Sequence, residues 1–243
     1  MALWLLTGAR DPILVPEVSQ HEVQVRQGFT GAELLLFGAI LRPDGTRAGR
    51  DYDIVVVLKG PTRPIVLREK RKIAGIWINA ASTELHSVPA YFAVASTRPI
   101  AKIVDGKTAA IYELGLPWLQ LSPTGAIDPK ALKSFAAGLV DLMSRKGHYR
   151  QDEGGVKVSE QVLYQARIAL PSSVTTGRYT AETFAISRGR VVASAISTIG
   201  VRKLGFEGAI AQFAIEHAFL YGLLAVAVSV FMGWIAGRVF SLV

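Results

Sequence analysis

The chain has 243 residues, half of them hydrophobic, with 27 Lys and Arg against 19 Asp and Glu, a formal charge of +8 and no cysteine. The missing cysteine excludes disulfide staples, zinc thiolates, thiol nucleophiles and cysteine-held iron–sulfur clusters together. The basic residues are scattered, without an arginine-rich arm or an aromatic ladder, which argues against nucleic acid as a partner and for a solvated basic surface.

Residues 1–16 read as an N-terminal segment. Met1 to Leu6 is apolar and Thr7-Gly8-Ala9 would suit a small-residue cleavage site, but no basic region precedes them. This predicts the remnant of a signal peptide whose start lies upstream, with a greasy terminus as the alternative.

Residues 17–204 carry the main domain. Glu22 to Arg26 alternates polar and apolar, as a half-buried strand does, and Gly28 to Gly31 reads as a turn. Glu33 to Leu41 is a denser apolar run suited to a strand buried on both sides, closed by Pro43-Asp44-Gly45. Asp53 to Leu58 is rich in β-branched residues. Ile65-Val66-Leu67 and Gly75 to Ile78 read as two short strands separated by a basic bend containing Arg68, Lys70, Arg71 and Lys72, and Tyr91 to Ala95 reads as another strand.

The pattern changes near residue 105. Thr108 to Leu114 suits a short helix. Asp128-Pro129 opens a longer one, with Asp at the cap, Pro in the first turn, an apolar stripe through Ala131, Leu132, Phe135, Leu139, Leu142 and Met143, and Gly147 as its stop. Strands resume at 156–158, 162–170, 179–187 and 191–200, the last two joined by Arg188-Gly189-Arg190. Strands that bracket a helical insertion near 105–147 predict a mainly β fold: an immunoglobulin-like sandwich, with two small β domains meeting near Ser122 to Asp128 as the alternative.

Residues 205–243 form an amphipathic juncture, with Phe206, Ile210 and Phe213 at helical spacing, and then an uncharged run from Ala218 to Ala236. At 1.5 Å per residue that run covers about 28 Å, the thickness of a bilayer core, and predicts one C-terminal transmembrane helix. Gly233 and Gly237 fall on one face of it, a spacing that permits close helix approach to a partner or to a second copy of the chain. All but one of the 27 basic residues precede the span, the exception being Arg238.

No catalytic signature occurs. His21, His86, His148 and His217 lack the spacing of a zinc hydrolase, and no nucleophile elbow, phosphate loop or dinucleotide fingerprint is present. A dispersed site from His21, His86 and Glu84 would be the enzymatic alternative. Asp51 and Asp53 alternate along a strand beside a polar turn and read as a solvated edge. Trp77, Tyr91 and Phe92 read as core filling, with a binding groove as the alternative.

Several strings together resemble the alphaproteobacterial putative transmembrane protein family: Ser19-Gln20-His21, the run Phe29 to Ile40, Lys59-Gly60-Pro61, Ile76-Trp77-Ile78-Asn79, Tyr91 to Ser96, and Leu220 to Ala225 in the tail. The resemblance covers nearly the whole chain. It implies an exported β-rich domain, one C-terminal helix in the inner membrane, genes near sulfite-exporter-like permeases, and no assigned catalytic activity.

The expected protein is therefore a single-pass membrane accessory protein, not an enzyme, without cofactor or metal. Its sandwich faces the periplasm, its C-terminus lies in the cytoplasm, and it binds a membrane partner such as a transporter or respiratory assembly. The alternative function is capture of a small anion or of lipid headgroups by Arg68, Lys70, Arg71 and Lys72.

Overall fold

The computed structural model describes residues 12–25, 29–41, 52–160, 162–203, 210 and 213–240. The readings of residues 1–6, of most of 205–212, of Pro43-Asp44-Gly45 and of Asp51 fall outside the described residues. The chain forms a β-rich unit through Val201 and a second unit that includes the C-terminal helix.

A four-stranded sheet contains β1 (Ile13–Val18), β3 (Gly31–Leu41), β9 (Val156–Ser159) and β10 (Leu163–Pro171) in the order β1-β3-β10-β9. A six-stranded sheet adds β2 (Glu22–Val25), β4 (Asp53–Lys59), β7 (Phe92–Ser96), β8 (Tyr149–Glu153), β11 (Gly177–Ser187) and β12 (Arg190–Lys203), in the order β2-β12-β11-β4-β7-β8. A separate hairpin pairs β5 (Thr62–Ile73) with β6 (Ile76–Pro89). Both sheets contain strands from either side of the helical segment, so neither sheet can be completed by one half of the chain.

The six-stranded sheet is the middle layer. On one face Ile54, Val56 and Leu58 of β4 are buried with Tyr179 and Ala181 of β11, as are the inner residues Leu34 and Leu36 of β3 and Ala166 and Ile168 of β10, and the Tyr164 hydroxyl of β10 lies 3.5 Å from the Thr183 hydroxyl of β11. On its other face Val55, Val57, Phe92, Val94 and Phe184 are covered by Leu85 and Val88 at the root of the hairpin and by Leu139 and Met143 of α2 (Pro129–Arg145). Each such fully buried side chain contributes about 1.5–3 kcal/mol. This three-layer arrangement corrects the sequence reading of one strand. It is β4 that is buried on both faces, whereas β3 alternates, with Leu34, Leu36 and Ile40 inside and Phe37 exposed.

The helical segment follows its capping signals. Asp105 caps α1 (Gly106–Ile111) by accepting from the Thr108 N–H at 2.8 Å, and Asp128 caps α2 by accepting from the Ala131 N–H at 3.2 Å. Gly147 then takes φ +73°, the left-handed turn that ends a helix. After it comes β8, which the sequence does not announce: Tyr-Arg-Gln-Asp-Glu is polar, and only Tyr149 is buried. β8 extends the sheet edge in parallel with β7, and the Tyr149 hydroxyl donates to the Pro89 carbonyl at 2.9 Å.

Tyrosines tie the layers. Tyr91 donates to the Ala169 carbonyl at 2.9 Å, and its burial pushes the phenol far above its ordinary range. Tyr179, at the start of β11, donates to the Thr175 carbonyl at 2.8 Å, four residues upstream, and burial raises its phenol to about 12. Removing that hydroxyl in Tyr179→Phe leaves a carbonyl without its donor at an expected cost of about 1–2 kcal/mol. In a thermal melt this is a fall of about 2–8 °C.

The second unit holds α3 (Ala218–Phe240), whose stretch Ala218–Arg238 has a mean hydropathy of 2.1 and no buried residue. It is apolar around its whole circumference. That pattern suits lipid on all sides and not the one-sided stripe of a surface helix.

Candidate functional site

The hairpin β5–β6 places the predicted cations. The sequence suggested two short strands around a basic bend, but the strands run unbroken through Arg68, Lys70, Arg71 and Lys72 and turn only at Ala74-Gly75. Both turn residues have positive φ, 49° and 86°, the two-residue turn that matches strand twist. Such turns usually hold Asn or Asp beside Gly; here the residue is apolar Ala.

Cross-strand register sorts the side chains. Lys72 pairs with Trp77, Lys70 with Asn79 and Arg68 with Ser82, so the cations and Trp77 share one face. Ile73 pairs with Ile76 and Arg71 with Ile78, placing three isoleucines on the opposite face near the tip. Arg71 joins them there and is tied back to Glu69 at 2.8 Å, a hydrogen bond that holds the Glu69 carboxyl below its usual range and raises Arg71. Residues 70–80 are exposed throughout, Ile76 at 69% and Trp77 at 66%. Trp77 is therefore not core filling, because at this distance from the root no layer covers it; Tyr91 and Phe92 are core.

A second surface lies on the outer face of the four-stranded sheet. Val15 of β1, Ala39 of β3 and Leu163 of β10 stand side by side in register, with Ile13 beside Leu41, and Leu35 and Phe37 next along β3. Ile13, Val15, Phe37 and Leu163 are exposed, making a continuous apolar patch. Its rim is polar, with the Arg167–Glu33 pair at 3.3 Å and the His21–Glu17 pair at 3.2 Å.

A third feature was invisible in the sequence because its members lie far apart along the chain. Lys59 at the end of β4 meets Glu113 at 2.7 Å and Glu182 of β11 at 3.4 Å, in a cleft of about 370 Å³ that Tyr112 and Phe184 also line. The other oxygen of Glu113 accepts the Gln120 N–H at 2.8 Å, and its backbone sits at φ +52°. Both carboxylate oxygens of Glu113 are thus engaged, which makes the group a clamp between β4, β11 and the loop after α1.

The remaining candidates disperse. Among the described residues no three of His, Asp and Glu come together as a metal site. His86 bonds Thr124 at 3.0 Å, and His148 bonds Ser173 at 3.2 Å, with desolvation, Lys146 and Arg63 all lowering the affinity of His148 for a proton. Asp53 is not a solvated edge, since it accepts from Arg98 Nε at 2.7 Å and from the Thr97 hydroxyl at 3.0 Å. Gly233 and Gly237 lie on α3, where an added Cβ at either would meet nothing.

The match that places these surfaces in context runs over residues 13–241, from the first residue of β1 through the end of α3, to the family described as putative transmembrane protein (Alph_Pro_TM). The chain belongs to this family. No curated protein matches it. In this Alph_Pro_TM member the one described helix long and apolar enough to cross a membrane is α3, at the C-terminal end of the matched region.

Proposed function

We propose that this Alph_Pro_TM member is a non-enzymatic accessory protein of the bacterial inner membrane, whose β-rich unit faces the periplasm and binds a membrane protein such as a transporter or respiratory assembly. The apolar patch on the outer face of the four-stranded sheet carries this reading. An apolar sheet face with a polar rim is the composition of an interaction surface. Arg238 after the span favours a cytoplasmic C-terminus. The Lys59–Glu113–Glu182 group supports a structural rather than a catalytic interior, because its lysine is neutralised by two carboxylates. The Tyr179–Thr175 bond, a tyrosine closing back on its own upstream backbone at the start of a strand, favours an immunoglobulin-like sandwich.

The test is co-purification from native membranes in mild detergent. The wild-type chain is expected to retain a membrane protein that the double variant Phe37→Glu, Leu163→Glu loses, by about tenfold or more, with the melting temperature of the variant unchanged. Recovery of the wild type as a lone monomer under several solubilisation conditions would count against the proposal.

A further inference from the structure

The hairpin is not used by that reading, and its chemistry is specific. From Leu67, the last residue of β5 that packs on the core, to Ile73 at the turn, the strand extends about 20 Å at 3.4 Å per residue. A soluble protein has little reason to hold Ile73, Ile76, Trp77 and Ile78 in water at the end of such an arm. The turn between them is Ala-Gly, where a polar Asn would relieve the left-handed conformation. Lys72, level with Trp77, and Lys70 and Arg68 behind it have no ion-pair partner among the described residues. They are splayed along an open strand, so they enclose no small ion, but they match an extended anionic surface.

We propose that the β5–β6 hairpin is a second membrane attachment: its tip enters the interfacial region of an anionic bilayer while Arg68, Lys70 and Lys72 contact lipid phosphates. Two features of the chain single out lipid as the occupant. Along the arm Ile73 and Ile76 stand at the tip, Lys72 is level with Trp77, and Lys70 and Arg68 lie farther back, an order that would set the tip at the acyl boundary and the cations among the headgroups. The chain also carries its own membrane span, so the arm works at the high effective concentration of a tethered group and needs only a shallow insertion.

The absence of cysteine makes the test clean. The full-length chain with Ile76→Cys, carrying an environment-sensitive fluorophore, is reconstituted into phosphatidylcholine vesicles with and without phosphatidylglycerol. A Lys130→Cys label on α2 serves as the reference. In anionic vesicles the tip label is expected to shift to the blue and to be quenched by nitroxide-bearing lipids, while the reference label stays aqueous. Replacing Arg68, Lys70 and Lys72 with Gln should lower the ratio of inserted to free hairpin roughly 100-fold, since each cation near an anionic surface is worth most of a factor of ten. Ala74→Asn, which suits the turn better, should keep the fold and still reduce quenching. Inorganic phosphate at matched ionic strength should leave the signal unchanged. An aqueous tip label in both vesicle types would overturn the proposal. So would displacement by phosphate, which marks a free-anion site, or protection seen only in native membranes, which marks a protein partner.

Discussion

Arginine at both Val226 and Val230 is expected to release the protein from the membrane. Both positions lie near the middle of Ala218–Arg238, where each arginine raises the insertion free energy by about 2.5–3.5 kcal/mol, so the pair costs about 5–7 kcal/mol. The wild-type stretch has no buried residue and no charge before Arg238. Snorkelling cannot rescue central arginines as it can Arg238, which lies at the end of the span over Trp234 with 5.8 Å between guanidinium and ring centre. Fractionation of membranes washed at alkaline pH reads the result: wild type in the pellet, the double variant in the supernatant or degraded. Retention of the double variant in the pellet would mean that α3 is not the anchor.

Alanine at Gly38 is expected to be the most damaging small change in the β-rich unit. Gly38 sits at an inner position of β3, directly paired with Tyr164 of β10 and with Pro16 of β1. A Cβ there would overlap the Val15 carbonyl oxygen and lie 2.6 Å from the Tyr164 hydroxyl oxygen. Neither neighbour can yield easily. The carbonyl belongs to the β1–β3 ladder, and the phenol is packed beneath the middle sheet within 3.5 Å of the Thr183 hydroxyl. Glycine covered by a cross-strand aromatic is a device for bringing two strands close, and filling it separates them. The expected loss is about 3 kcal/mol or more, a fall of about 6–12 °C in melting temperature. Leu36→Ala, which creates a cavity without a clash, provides the comparison at 2–5 kcal/mol. A Gly38→Ala variant that melts with the wild type would show that β1 does not pair with β3 as described.

Much of the fold was legible because its signals are local. The α2 cap at Asp128, the Arg188-Gly189 turn and the transmembrane run each depend on residues close together in sequence. The errors came where burial depends on a distant layer. Glu33 to Leu41 and Asp53 to Leu58 look similarly apolar, yet only β4 lies between two layers, and β3 spends Leu35, Phe37 and Ala39 on the outer patch. The apolar residues on the second face of β3 are the trace of the patch itself. Trp77 and its neighbours misled in the same way: apolar residues were assigned to a core, when the long pairing of β5 with β6 carries them away from it. β8 left no trace because an edge strand that buries one tyrosine needs no hydrophobic pattern. The Lys59 clamp left none either, since residues 59, 113 and 182 meet only once the sheet has formed.

The two exposed apolar surfaces carry two separate proposals, a protein partner for one and lipid for the other. On the patch of the four-stranded sheet Arg167 is paired with Glu33 and Lys157 stands in the same row as Phe37, whereas the hairpin carries Arg68, Lys70 and Lys72, which have no ion-pair partner among the described residues.

The most direct test of the partner-binding account is the reactivity of a single cysteine at Leu163 toward a water-soluble maleimide, measured in broken native membranes and again after purification in detergent. Leu163→Cys is expected to react slowly in membranes and quickly once purified, while Lys130→Cys reacts at the same rate in both. Equal reactivity of the Leu163 position in the two preparations would contradict the account.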